Sequence, residues 1–316
     1  MGRYLIRRIA SLVPVLLIMS FIVFMLIHLI PGDPAKVILG DEATPAAVEA
    51  LRQQMGLNDP LLLQYVHWMG NVLTGHLGQS VFMKGTMGSI IFSHIIPTLQ
   101  LTVYAMIIAF CLSLPLGMLA AAKRKTAADQ AISSMAMLGI SIPSFLLSLF
   151  LILLFAVKLG WLPPAGYKEI SRFGLLENIR YMILPAAAMG MVEAGLLIRM
   201  TRSSLMDVME ADYIRMARAK GVSEFRIVTG HALKNAALPI LTAMGQTFVA
   251  VLSGAAVAET IFNIPGVGQL IVNSVSRRDY EVIQSIILVI AVINVMTYLA
   301  VDILYRLIDP RIRLDK

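Results

Sequence analysis

Long apolar runs separated by short polar segments dominate this chain. Uncharged stretches occupy 9–30, 85–122, 130–157, 235–258 and 282–301, and a sixth, 181–198, is interrupted only by Glu193. About 20 mostly apolar residues suffice to cross a ~30 Å hydrocarbon core, so each run predicts one crossing helix, within 85–122 over about the last 25 residues. Six such helices predict an all-α membrane protein. The first run exceeds a secretory h-region of about 7–15 residues. It leads into the turn sequence IPGDP at 30–34 with no A-x-A site, so it reads as an anchor and not a cleaved signal.

Between the first two runs, 31–94 is too long for a turn and too polar for a span. Thr44 before Pro45 is an N-cap followed by proline at the first helical position, and Gly56 supplies a stop. Asp59-Pro60 repeats the start, leading into a mixed apolar and aromatic helix over 61–73. The segment predicts a small extracytoplasmic helical subdomain, either packed on the membrane helices or offering a docking surface. The organisation is thus 1–30 for the N-terminal end and first helix, 31–94 for the subdomain, 95–307 for a five-helix core with a polar loop at 199–235, and 308–316 for a tail.

Composition agrees with a lipid solvent. Hydrophobic residues make up 58% of the chain and charged ones 14%, against roughly 45–50% and about 25% in soluble domains. The formal charge of +7 sits in short clusters between apolar runs, which is a topology pattern and not a nucleic-acid face. With the N-terminus inside, 17 of the 26 Lys and Arg fall on the inner side, which predicts both termini in the cytoplasm. The single cysteine, Cys111, lies in an apolar run, so neither a disulfide framework nor a CxxC site is available.

The loop at 199–235 carries seven of the basic residues. Gly221 after Lys220 is a helix C′ signal, and basic residues in the last turn suit the helix dipole. Ser223 is placed to cap a second helix with Glu224 in its first turn. The prediction is a helix, a glycine corner needing positive φ, and another helix. Such a basic elbow on the inner face is either a lever for a soluble partner or an amphipathic loop held at lipid headgroups.

The sequence YIRMARAKG at 213–221, followed by HALKNAALP at 231–239, resembles the coupling-loop signature of ABC-importer permeases, in particular the dipeptide, oligopeptide and nickel branch. Arg215, Met216 and Ala217 stand where the wider family has Glu-Ala-Ala, with Gly221 in register. Further agreement comes from LIPGDPA at 29–35, GLNDP at 56–60 with Gln64-Tyr65, IFNIPGVG at 261–268, RDYEVIQ at 278–284 and VDILYRLIDPRIR at 301–313. Glu281 departs from the proline usual after Arg-Asp-Tyr.

The resemblance implies a type I ABC-importer permease fold in the bacterial cytoplasmic (inner) membrane. It implies as partners a second homologous permease subunit, two cytoplasmic ATPase subunits and an extracytoplasmic solute-binding protein. Tyr213, Arg215, Ala217, Arg218, Ala219, Lys220, Gly221, Val222 and Ser223 would meet an ATPase subunit. Asp33, Tyr65, Trp68, Asn263 and Pro265 are candidates for docking the binding protein. ATP and Mg would reside on the ATPase subunits, with no cofactor bound by this chain. Consistently, no Gly-Lys dipeptide occurs, so there is no Walker A loop. The implied cargo is di- or oligopeptides, glutathione included, with nickel or a metal chelate as the competing cargo.

Other chemistry is sparse. Neither H-E-x-x-H nor G-x-S-x-G occurs, which disfavours an intramembrane enzyme. The five histidines and twenty methionines are dispersed and predict no metal site. A non-conducting membrane scaffold remains an alternative of another class. Asp302 has Arg306 one turn later as a partner, and Glu259 falls at the outer end of its span, where snorkelling is easy. Glu193, mid-span without a basic neighbour at i±3 or i±4, either pairs with another helix or lines a watered pathway. Gly245, Ser253 and Gly254 are candidate pathway positions on the fifth span, with Gly139 and Pro143 on the third. Close core packing is the competing role for all of them.

Overall fold

The computed structural model describes residues 2–29, 33–40, 43–54, 56–80 and 82–308. The predicted turn at 30–32 and the tail beyond 308 lie outside the described residues. Contacts divide the chain into two compact units, one of residues 1–95 and 269–296, the other of 96–268 and 297–316.

In the first unit, α1 (Gly2–Leu29) is followed by the short helices α2 (Pro34–Leu39), α3 (Pro45–Gln54) and α4 (Leu61–Leu73). Asp33 caps α2 through Oδ1, which accepts from Ala35 N at 3.0 Å. Thr44 caps α3 as the sequence predicts, its hydroxyl accepting from Ala47 N at 3.3 Å. Asp59 does not cap α4. Instead the Gln64 side chain turns back and donates to the carbonyls of Asp59 at 2.7 Å and Leu57 at 3.1 Å, because Pro60 at the N-cap offers no side-chain acceptor.

The same unit holds α13 (Val267–Arg277) from residue 269 and the first part of α14 (Tyr280–Ile308). The loop at 77–80 is fastened to the start of α14 at three points. Ser285 donates to the Leu77 carbonyl at 2.9 Å, Gln79 N donates to the Glu281 carboxylate, and Ser80 donates to Asp279 at 2.5 Å. Glu281, the departure from the family pattern, therefore has a structural task. Gly78 runs so close to it that a Cβ would overlap the carboxylate.

In the second unit, the apolar helices assemble around α9 (Leu175–Met209), which follows the short α8 (Ile170–Phe173). Gly190 lets α9 approach α5 (Met87–Ala122) until a Cβ would lie 2.6 Å from the Ala105 carbonyl oxygen. Gly195 does the same against α6 (Ala127–Ser141), 2.5 Å from the Ala136 carbonyl oxygen. In membranes, where apolar association gains little over lipid, such close backbone contact is a main source of cohesion. Around it pack Leu101, Met182, Ala186, Met189, Val251, Ala255 and Phe262. A polar knot joins the buried Asn178 to its neighbours: it accepts from Tyr104 at 2.9 Å and donates to the Lys168 carbonyl at 2.6 Å.

Among the described residues, four helices are long and apolar enough to cross a membrane: α5, α9, a continuous 38-residue helix Glu224–Ile261, and α14. In α1 the apolar stretch Ala10–Met25 is shorter. The second predicted span begins earlier than expected, at Met87, because Thr86 caps it by accepting from Ser89 N. The third, expected as one run over 130–157, is broken. α6 stops at Ser141, Ile142 turns extended before Pro143, and α7 (Ser144–Leu151) leads away with the π-helical turn Ile152–Lys158. The two arms meet at 99°. A residue before proline is driven out of the α region, so the break falls where the sequence demands one.

Glu259 corrects the snorkelling expectation. It is fully buried, accepts the Thr98 hydroxyl, and Thr98 in turn accepts from Val267 N at 2.9 Å. Gly266 lies over the carboxylate with no room for a Cβ. A carboxylate out of water persists only when hydrogen-bonded, and here Thr98 reaches it across 161 residues of chain.

Candidate coupling elbow

α9 continues beyond its apolar stretch to Met209 and is anchored there by two ion pairs. Arg202 clasps Asp129 with two parallel bonds, Nε to Oδ1 at 2.6 Å and Nη2 to Oδ2 at 2.9 Å. Asp129 also accepts from Lys125 N at 3.0 Å, so one buried carboxylate ties the start of α6 to α9. Arg124 meets Glu210 at 2.6 Å in the open. Its hydrogen bond holds the Glu210 carboxyl below the usual carboxylate range.

After the break at Glu210 and Ala211 comes α10 (Asp212–Ala219). Ile214 is its buried anchor, packed with Leu205, Ile227, Val228, Ala232 and Ala236. Ala217 and Val222 lie against the same cluster. Gly221 forms the corner at φ +79°. Its N–H donates to the Arg218 carbonyl at 2.9 Å, and Val222 N donates to the Ala217 carbonyl at 3.2 Å. The last turn of α10 thereby closes on itself through the left-handed residue.

Beyond the corner, α11 (Glu224–Arg226) passes through the π-helical stretch Ile227–Ala232 into α12 (Leu233–Ile261). Ser223 occupies the N-cap position, but its hydroxyl makes no capping bond, contrary to the sequence expectation. Glu224, expected only in the first turn of the second helix, bridges the corner: Arg218 Nε donates to its Oε1 at 2.6 Å. Asn235 Nδ2 donates to the Tyr213 hydroxyl at 2.6 Å, tying α10 to α12 a second time. The elbow is therefore preorganised by one apolar anchor, one ion pair and one side-chain bond.

Tyr213, Arg215, Arg218, Ala219, Lys220, Gly221 and Ser223 are exposed, whereas Ala217 and Val222 are half-buried. Two residues missed in the sequence join the exposed face, Met216 at 60% and Phe225 at 77% exposure. A phenylalanine one turn past a predicted glycine corner was the available signal. Exposed apolar side chains between arginines suit a protein groove better than water.

The other predicted site residues separate. Glu193 is half-buried on α9, and Ser253 and Gly254 are exposed on α12. Gly245 is buried, with Val301 of α14 where its Cβ would go. Asn263 and Pro265 are exposed between the buried Phe262 and Ile264. Asp33 is taken up by Arg52 at 2.8 Å, and Tyr65 and Trp68 pack against Phe24 of α1. Among the described residues, no three His, Cys, Asp or Glu side chains gather as a metal site would require.

Residues 113–314 match the family described as binding-protein-dependent transport system inner membrane component. Residues 1–114 match the N-terminal region of the same class of membrane component. The chain belongs to this family. Among relatives of the permease, the probable peptide ABC transporter permease protein y4tP of Sinorhizobium fredii is 39% identical over 313 residues, 99% of this chain and 100% of that one. The glutathione transport system permease protein GsiC of Escherichia coli K12 is 41% identical over 99% of both chains. The permease also shares its fold with a chain of the inward-facing MetNI methionine ABC transporter. That likeness has a TM-score of 0.59 at 19% identity, over 72% of this chain and 99% of the other.

Proposed function

We propose that this permease is one half of the pathway of an ATP-driven importer of di- or oligopeptides, glutathione included. The observation that carries the reading is the preorganised elbow at 212–226, whose exposed Tyr213, Met216 and Phe225 stand between basic residues. The names of the relatives support the cargo class. The bent pair α6–α7 counts as one crossing and α1 as another, giving six spans with both ends cytoplasmic, as the distribution of Lys and Arg favours. The segment 31–94 then lies outside. A second permease subunit, two ATPase subunits that hold ATP and Mg, and a solute-binding protein docking near Asn263 and Pro265 complete the importer.

The complex with its ATPase subunits, reconstituted in vesicles, is expected to hydrolyse ATP faster when peptide-loaded binding protein is added. Stimulation by a nickel chelate alone would reassign the cargo, and no stimulation by any loaded binding protein would leave a scaffold. Glu193, half-buried and mid-span, fits a watered pathway, since intramembrane carboxylates usually face cavities. Glu193→Leu should slow peptide uptake about tenfold, the equivalent of ~1.4 kcal/mol on the barrier. Uptake at the normal rate would remove Glu193 from the pathway.

A further inference from the structure

α4 presents three different faces, and their order around the helix matters. The face against α1 is read by its contacts. Gln64 meets His28 at 3.2 Å, Trp68 stacks near Phe24, and Tyr65 reaches Phe24, Phe21 and finally the Ser20 hydroxyl at 2.8 Å. From His28 to Ser20 is about 12 Å along α1 at 1.5 Å per residue. Turning around α4 from Gln64 toward Tyr65 is therefore turning toward the middle of α1.

Continuing the same rotation brings up Leu62, Val66, Met69 and Leu73, spaced four, three and four residues as one helical stripe. Leu62, Val66 and Leu73 are 72%, 56% and 79% exposed. Turning the other way brings up His67 and Asn71, exposed along with Leu63 one turn earlier. The apolar stripe thus lies on the side of Tyr65, which reaches Ser20 within α1, and the polar pair on the side of Gln64, which meets His28 near its end. No Asp, Glu, Lys or Arg occurs between Pro60 and Met83. At the depth that Tyr65 reaches, α1 itself exposes Leu17, Ile18 and Ile22.

We propose that α4 lies in the outer leaflet at the headgroup–acyl boundary, with lipid covering Leu62, Val66 and Leu73. This rests on the reading above that α1 crosses the membrane. The surface resembles an interfacial helix, whose apolar side sinks about 5–10 Å into that boundary. It differs from basic interfacial helices in having no Lys or Arg, so its attachment does not depend on anionic lipid. Tyr65 and Trp68, aromatic residues of the kind enriched at membrane interfaces, fix it to α1.

Spin labels on the full importer complex in phosphatidylcholine vesicles test this. Single cysteines would be placed in an otherwise cysteine-free complex as Val66→Cys, Asn71→Cys and Ile18→Cys, each checked for retained uptake. Collisions with oxygen, which concentrates in lipid, are compared with collisions with a water-soluble paramagnetic chelate. The oxygen-to-chelate ratio is expected to be several-fold higher at 66 than at 71, and high at 18. A label at 66 that favours the chelate, or is shielded from both agents by protein, overturns the proposal while a high ratio at 18 keeps α1 in the membrane. A label at 18 that favours the chelate overturns the six-span reading, and the α4 proposal falls with it.

Discussion

Gly221→Val is expected to abolish most peptide-stimulated ATP hydrolysis and uptake while leaving the permease in the membrane at normal abundance. The reason lies in the backbone. Gly221 holds φ +79°, and a Cβ there would touch nothing within 4 Å, so no clash obscures the result. Placing an L-residue in the left-handed region costs roughly 1–2 kcal/mol, and a β-branched one sits at the upper end. That strain is about a tenfold shift in the population of the formed elbow. Gly221→Asn, which tolerates this conformation, should retain most of the function. Uptake and ATPase rates of the two variants, beside immunoblots of membrane fractions, decide the matter. Unimpaired transport by the valine protein would show that the corner does not couple.

Asp129→Ala is expected to lower the thermal stability of the purified complex more than any change on the exposed elbow face. The Asp129 side chain is 6% exposed and Arg202 28%. Removing the carboxylate strands a guanidinium and frees the Lys125 N–H. Breaking a buried pair from one side costs about 3–5 kcal/mol, and the residual exposure of Arg202 places this one near 3. Arg202→Lys should lose part of the same stability, because a single ammonium cannot form both parallel bonds. A melting temperature in detergent unchanged by Asp129→Ala would mean that the α6–α9 tie contributes nothing.

Four of the predicted apolar helices stand among the described residues where the sequence puts them, because lipid imposes a length and a composition that can be counted. Gly221 was legible too, since a glycine after a basic helical turn has few other uses. What escaped depended on residues distant in sequence. Asp129 stood out neither by charge nor by spacing, and its partner Arg202 lies 73 residues away. Glu259 was placed by its distance from a helix end, but Thr98 and Gly266 draw it inside. Pro143 reads in the sequence only as a pathway or packing position, and the break before it, with 99° between the two arms, is a feature that counting apolar residues does not reveal. Ser223 was credited with a cap that the neighbouring Arg218–Glu224 pair makes less necessary.

The helix Glu224–Ile261 runs unbroken for 38 residues, about 57 Å at the α-helical rise. It begins at the Arg218–Glu224 clasp and ends against the loop of Asn263 and Pro265. A rod without a loop along its length does little to buffer a push at one end from the other. In the proposed importer, timing between nucleotide closure inside and acceptance of cargo outside would then be set by geometry, as in a crankshaft, with no intermediate relay to slip. The wider π turns near its base and Pro239, which removes one backbone bond of the ladder, would be its compliant section, and so the place where evolution could retune the stroke.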